Sequence, residues 1–193
     1  VKVTAHGVAA HTSTERGTSA NFLIAPFLAE MAELATELKT DPSYRNNDFD
    51  PPTLGFNMVI SDGGTQGNVT AARSECTIVF RPMPNDRSAE VMERIVARAN
   101  HYGLESSTKL LPALSIDPQA DIVQAAVAAT GREPTTVPYG TDGFHLQHLA
   151  ELVVLGPGDI AQAHTKGEWI LRSQLDEAVT VYRRLIERFC QGG

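Results

Sequence analysis

The sequence lacks the features that would place it in a membrane or on a nucleic acid. No apolar run approaches the roughly 20 residues that a membrane-spanning helix needs. Basic residues are not in excess either, since the net charge is −7 at pH 7. A nucleic-acid surface needs positive charge to offset the phosphates. We therefore predict a solvated acidic surface and expect neither a nucleic-acid nor a membrane partner.

Cysteine is scarce, and the signatures of several enzyme classes are missing. Cys76 and Cys190 are far apart in the sequence, so they predict no disulfide framework, and a reducing cytoplasmic location is the default expectation. There is no Gly-x-Ser-x-Gly motif, no phosphate-binding loop and no His-Glu-x-x-His motif. The chain starts at Val1 without a signal peptide, which suggests a segment of a longer protein or a processed chain.

In residues 1–112, segments in which apolar residues alternate are interspersed with segments in which they recur at steps of three and four. Alternation predicts strands, and apolar steps of three and four predict helices. The predicted elements are a strand over 1–10, a helix to about 39, strands over 54–60 and 71–81, a helix from Ser88 to Gly103, and a strand over 105–114. This strand–helix–strand–strand–helix–strand order predicts an α+β, ferredoxin-like domain, a βαββαβ antiparallel sheet with both helices on one face.

Residues 113–193 have a different pattern. We predict a helix over 120–130, a brief strand at 135–137 and a strand at 152–155 that is buried on both sides. Ser173 with Asp176 resembles a capping box, and it would open a final helix with one apolar stripe. These elements suggest an incomplete α/β segment that needs further strands from elsewhere.

Two loops of the second region are candidates for binding. His164 follows the predicted buried strand, where open α/β sheets bind ligands, and a neutral imidazole there is either a zinc ligand or an ordinary loop residue. The turn at Thr141, Asp142 and Gly143 opens a helix, whose N–H groups suit a carboxylate. Simple capping by Thr141 or Asp142 explains that turn equally well.

Three residues of the first region are further candidates. Arg81 is expected on the bare face of the sheet, where a guanidinium either binds a substrate carboxylate through two hydrogen bonds or remains a solvated charge. His11 closes the first predicted strand and can donate a hydrogen bond to a developing oxyanion. Asn68, in a glycine-rich turn, can act similarly, although turn structure alone also accounts for both residues.

Together these segments resemble the M20 metallopeptidase family. The resemblance rests on Gly7–Ser13 with Gly17, Ala20 and Asn21, on Gly64–Thr65 with Gly67–Val69, on Arg81, on Gly140–Asp142, and on Gly156–Gly158 through His164 and Glu168. It runs over nearly the whole chain, and the C-terminal signature is most similar to that of the acetylornithine deacetylase branch. It implies a lid and dimerisation domain at 1–112, followed by the last part of a catalytic domain at 113–193.

The resemblance also implies roles for these residues. His164 would be a zinc ligand, His11 would polarise the scissile carbonyl in the active site of the partner subunit, and Asn68 would assist there. Arg81 and the turn at 141–143 would hold the substrate carboxylate. Family enzymes use two zinc ions bridged by water, with cobalt as a possible substitute, and the chain would form a homodimer through the lid.

The implied activity is removal of an N-acyl group, acetyl favoured, from an amino acid such as acetylornithine, in arginine biosynthesis. The family's other metal ligands and its general base lie upstream of the lid, so the 193 residues alone should be inactive. Phe144 stands where relatives that bind dicarboxylates often have arginine, which disfavours a desuccinylase. A non-catalytic dimerisation or binding module stays open as an alternative, and so does a related peptidase of the family, such as a succinyl-diaminopimelate desuccinylase, an aminoacylase or a carboxypeptidase.

Overall fold

A computed structural model describes residues 1–84, 87–109 and 111–190. The chain divides into two compact units, Val1–Ala113 and Leu114–Gly193, and each unit is described by itself. Within the described ranges, none of the helices combines the length and the apolar character that crossing a bilayer demands.

The first unit is a four-stranded antiparallel sheet with two helices. Its elements are β1 (Lys2–His6), α1 (Ala20–Thr40), β2 (Asn57–Ser61), β3 (Arg73–Val79), α2 (Ser88–His101) and β4 (Glu105–Ser107). The strand order in the sheet is β2-β3-β1-β4, and every neighbouring pair is antiparallel. The predicted βαββαβ order and α+β class are confirmed.

One face of the sheet is packed against the helices. Strands alternate their side chains, so β3 buries Ser74, Cys76 and Ile78, while Glu75 between them is half-buried and Thr77 is exposed. The helices contribute an apolar stripe at helical spacing. The buried residues of the helices include Ile24, Phe27, Met31, Leu34 and Leu38 of α1 and Val91, Ile95 and Ala99 of α2.

Several predicted boundaries are wrong, and the reasons are local. Leu23 falls in the apolar period of α1 but is 41% exposed, and Ile24 is buried instead. The first strand ends at His6, and the chain then continues only through isolated bridges at Val8 and His11. The last strand ends at Ser107, the final β4 residue that pairs with β1 in the described ranges. Leu110, within the predicted last strand, lies outside the described residues. Ser88, the predicted start of the second helix, is the first residue of α2, and Arg87 precedes it as the cap.

Two ion pairs join α1 and α2. The Arg98 guanidinium and the Tyr102 hydroxyl donate hydrogen bonds to the Glu30 carboxylate. Arg94 donates two hydrogen bonds of 2.7 Å to Glu37. The Arg98 bond, followed by the Tyr102 bond, lowers the pKa of Glu30 to about 2. The pairs therefore connect the two helices through charge-assisted hydrogen bonds.

The second unit contains α3 (Asp121–Thr130), α4 (Gly143–Leu146) and α5 (Arg172–Cys190). Its described residues include no strand, so the strands predicted at 135–137 and 152–155 are wrong. A strand exists only when a neighbour pairs with its N–H and C=O groups, and no such neighbour is present among residues 111–190. Val154, expected to be buried, is 51% exposed.

Helix α5 likewise has few packing partners among the described residues for its apolar face. Its predicted apolar stripe exists, but only Val181 of the helix is buried. The exposed members of the stripe are Leu175, Val179, Tyr182, Ile186 and Phe189. The expected capping box is also wrong: Arg172 is already helical, and the Leu171 N–H donates to Gln174 Oε1 at 3.0 Å.

Candidate functional site

The loop after β1 places His11 beside Asn68. The Thr12 N–H donates to the Asn68 carbonyl at 2.9 Å, and His11 forms an isolated antiparallel bridge with Val69. Thr70 ties the same two segments through its hydroxyl, which accepts from the Ala10 N–H at 2.8 Å. The first region thus brings two of its three candidate residues into adjacent loops.

The His11 ring is exposed but held on one side. Its Nδ1 lies 2.7 Å from Ser13 Oγ and also accepts the Ser13 N–H at 3.3 Å. Its Nε2 has no hydrogen-bond partner in the ranges that the structure describes. Ser13 was missed as a site residue from sequence, although a serine two positions after a histidine at a turn is the available signal.

The turn before Asn68 is organised by Asp62, another residue that sequence reasoning did not single out. Its carboxylate accepts hydrogen bonds from the Asn21 side chain at 3.0 Å and from the Gly64 N–H at 3.0 Å. These bonds, the Asn21 bond first, lower the pKa of Asp62. The Asp-Gly-Gly sequence is the signal for such a turn, and Gly63 and Gly64 adopt φ of 74° and 76°.

Arg81 lies at the other end of the sheet. His6 pairs with Arg73 at one end of β3, and Lys2 pairs with Thr77 toward the other. With a rise of about 3.3 Å per residue, β3 is ~20 Å long. Arg81, exposed just beyond Val79, is therefore far from the loops of His11 and Asn68 within one copy.

The Thr141–Gly143 turn is compact and internally bonded. The Thr141 hydroxyl accepts the Gly143 N–H at 3.1 Å, and the Phe144 and His145 N–H groups donate to Thr141 and Asp142 carbonyls. Helix α4, which follows, has only four residues. Thr141 therefore caps the turn, as one of the two interpretations from sequence expects. Asp142 is exposed.

His164 lies in an exposed loop with an unusual backbone. Its φ is 62°, in the left-handed region that residues other than glycine seldom adopt. Its N–H donates to Glu168 Oε2 at 3.3 Å. Across the described ranges, no group of three or more His, Cys, Asp or Glu residues is arranged to hold a metal ion.

Comparisons with known proteins give consistent results. The family described as the peptidase dimerisation domain of M20 enzymes matches residues 1–107. Acetylornithine deacetylase of Myxococcus xanthus is 29% identical over 188 residues, covering 92% of this chain and 49% of the relative. The enzyme of that name from Pasteurella multocida is 26% identical over 195 residues, covering 96% and 50%. The chain spans about half the length of these curated relatives.

Solved structures support the fold. The crystal structure of aminopeptidase PepT from Bacillus cereus matches with a TM-score of 0.62 and 21% identity, over 96% of this chain and 50% of that one. A tripeptidase from Staphylococcus aureus matches with a TM-score of 0.59 and 18% identity, over 97% and 50%. Because the dimerisation-domain match covers more than half of the sequence, the chain belongs to the M20 peptidase family.

Proposed function

We propose that the chain is part of an M20 hydrolase that removes an N-acyl group, acetyl favoured, from an amino acid such as ornithine. The observation that carries this proposal is the pairing of the His11 and Asn68 loops, because it brings two exposed residues into adjacent loops, and the Nε2 of His11 has no hydrogen-bond partner in the described ranges. Both side chains can donate hydrogen bonds to a carbonyl oxygen as charge develops on it. The acetylornithine deacetylase relatives support the acyl group and the amino acid.

We propose that this chain alone does not hold a complete catalytic zinc site. Zinc needs about three protein ligands for catalysis, whereas the described residues contain no group of three candidate ligands. We propose His164 as one ligand of a site with two zinc ions, for which cobalt is a possible substitute. The other ligands and the general base would come from the remainder of a longer, cytoplasmic protein.

We further propose that each active site is shared between two copies. Arg81 and the His11–Asn68 loops are separated by the ~20 Å length of β3, which exceeds the length of a small N-acyl amino acid. One copy therefore cannot apply both ends of its sheet to one substrate. His11 and Asn68 would serve the partner's site, while Arg81 would bind the carboxylate of the substrate in its own copy. The 141–143 turn is proposed separately as a carboxylate-binding turn.

Mixed dimers of the full-length protein test this arrangement. His11→Ala and Arg81→Ala homodimers should each be impaired, but a heterodimer of the two retains one intact site. After complete subunit exchange, about a quarter of the wild-type activity should return, because half of the dimers are mixed and each has one working site. Differently tagged subunits verify the exchange. No recovery in verified heterodimers would show that His11 and Arg81 do not act in different copies.

A second candidate function is a dimerisation module without catalysis, and the edge strand β2 favours it. Val59 and Ile60 are 58% and 54% exposed, and Asn57–Ser61 contains no charge and no proline. Natural edge strands are usually protected from pairing with another chain by charged residues or proline. Antiparallel pairing of two β2 strands centred on Val59 would place Asn57 opposite Ser61 of a second copy, so no like charges would meet.

A further inference from the structure

The backbone of His11 is fixed from two directions. Its carbonyl accepts the Thr14 N–H at 3.0 Å and the Thr14 hydroxyl at 2.8 Å. On the other side, His11 bridges to Val69. The segment that follows is a short 3-10 turn, Thr12–Thr14, which begins at His11 as its N-cap. The position of the ring therefore depends on its side-chain torsions alone.

Those torsions are restrained by Ser13. The Ser13 N–H donates to Nδ1 at 3.3 Å, and the Ser13 hydroxyl lies 2.7 Å from the same nitrogen. A backbone N–H can only donate, so Nδ1 must present its lone pair. In the neutral ring the proton is then on Nε2, and the Ser13 hydroxyl acts as a second donor to Nδ1.

We propose that the Ser13 hydroxyl, acting together with the backbone N–H of the same residue, is the positioning group that fixes the Nε2–H tautomer and the orientation of the His11 ring. This proposal rests on the proposed role of His11 toward the scissile carbonyl. Only an Nε2 that carries a proton can donate to a developing oxyanion. With the proton on Nδ1, the exposed nitrogen would be an acceptor and would repel the carbonyl oxygen.

The tautomer can be measured on the 193-residue chain itself. In 15N spectra at a pH of about 8.5, where histidine rings are ordinarily neutral, His11 should show an acceptor-type Nδ1 and a protonated Nε2. His148, which is exposed and has no hydrogen bond within the described ranges, is the internal reference. The separation of the two His11 shifts should exceed that of His148, shrink in Ser13→Ala and return in Ser13→Thr.

Two results would overturn the proposal: a protonated Nδ1 in the wild-type chain, or His11 shifts that are the same in Ser13→Ala as in wild type. Kinetics of the full-length protein add a second readout. Ser13→Ala should lower kcat on the order of tenfold with little change in KM, less than the loss for His11→Ala, and Ser13→Thr should restore it. Unchanged kcat in Ser13→Ala would also contradict the proposal.

The spectra and the kinetics separate the two claims. If the tautomer result holds while His11→Ala leaves kcat unchanged, the proposed role of His11 fails, and Ser13 orients a ring without that function. If His11→Ala lowers kcat while the spectra of Ser13→Ala match wild type, the function stands and the role of Ser13 fails.

Discussion

Gly7 is the residue on which the path of the chain from β1 to His11 depends. A Cβ atom at this position would lie 2.2 Å from the Thr18 carbonyl oxygen and 2.6 Å from both the Ala20 nitrogen and the Ala71 oxygen. All three are backbone atoms, so no side chain can move aside. The close approach of three segments therefore requires glycine, and it explains why this position belongs to the signature around His11.

We expect Gly7→Ala to destabilise the first unit by roughly 2 kcal/mol or more, because the backbone must shift to admit the methyl group. Denaturant unfolding of the chain measures the change. Gly67→Ala is the matched control, since nothing lies within 4 Å of a Cβ there, and it should change stability by less than about 0.5 kcal/mol. Equal effects of the two substitutions would contradict the steric explanation.

Some residues of the site could be predicted from sequence, and others could not. His11 and Asn68 are predictable because polar residues in turns beside strands are visible in a single sequence. The hydrogen bond from Ser13 to the His11 ring could not be predicted from the sequence, because it depends on the φ and ψ angles of a three-residue turn. The separation of Arg81 from His11 follows from the register of β1 with β3, which alternation alone does not give.

At the scale of elements, the ion pair between Glu30 of α1 and Arg98 of α2 makes the stability of the first unit depend on pH. The pKa of Glu30 is lowered to about 2 in the folded protein, mainly by the hydrogen bond from Arg98, while in the unfolded chain it returns to an ordinary glutamate value. A lowered folded pKa means that the stabilisation is fully present above the unfolded pKa. It is lost as the pH falls toward the folded pKa.

We therefore expect wild type to be more stable than Glu30→Gln at pH 7, and this difference to shrink between about pH 5 and pH 2. Denaturant midpoints of both proteins across that range provide the measurement. Glu33→Gln, an exposed position on the same helix, controls for the general effect of removing a carboxylate. A difference between wild type and Glu30→Gln that stays constant down to pH 2 would disprove the contribution of the ion pair.

The strands and helices of the first unit could be predicted because they bury their apolar faces against one another. The hydrophobic residues alternate in β3 and recur every 3.6 residues in α1 because one face of the sheet packs against the two helices. All of these elements lie within residues 1–109. The strand expected at 152–155 failed for the opposite reason. Its apolar run is real, but strand formation requires a neighbouring ladder, and the described residues around it supply none.

At the scale of the whole molecule, the edge of the sheet predicts how two copies associate. A lysine at Val59 would place two charges close together at the centre of a β2–β2 contact, and like charges across a pair are destabilising. We expect sedimentation to find a dimer for the wild-type chain and a monomer for Val59→Lys. Ser107→Lys, exposed on the opposite edge strand β4, should remain dimeric. The reverse pattern would place the contact at β4.

By itself, this chain offers too few candidate ligands in its described residues for zinc catalysis. His164 is a single proposed ligand, and the described residues contain no group of three that could complete a metal site, while zinc catalysis needs about three protein ligands. We therefore expect the purified 193-residue chain to bind no stoichiometric zinc in equilibrium dialysis and to release no acetate from N-acetylornithine. The full-length protein, assayed beside it with zinc, should do both, and His164→Ala in that protein should lower its zinc content. Turnover by the isolated chain, at a rate that survives repurification and chelation controls, would mean that its own residues form a sufficient catalytic site.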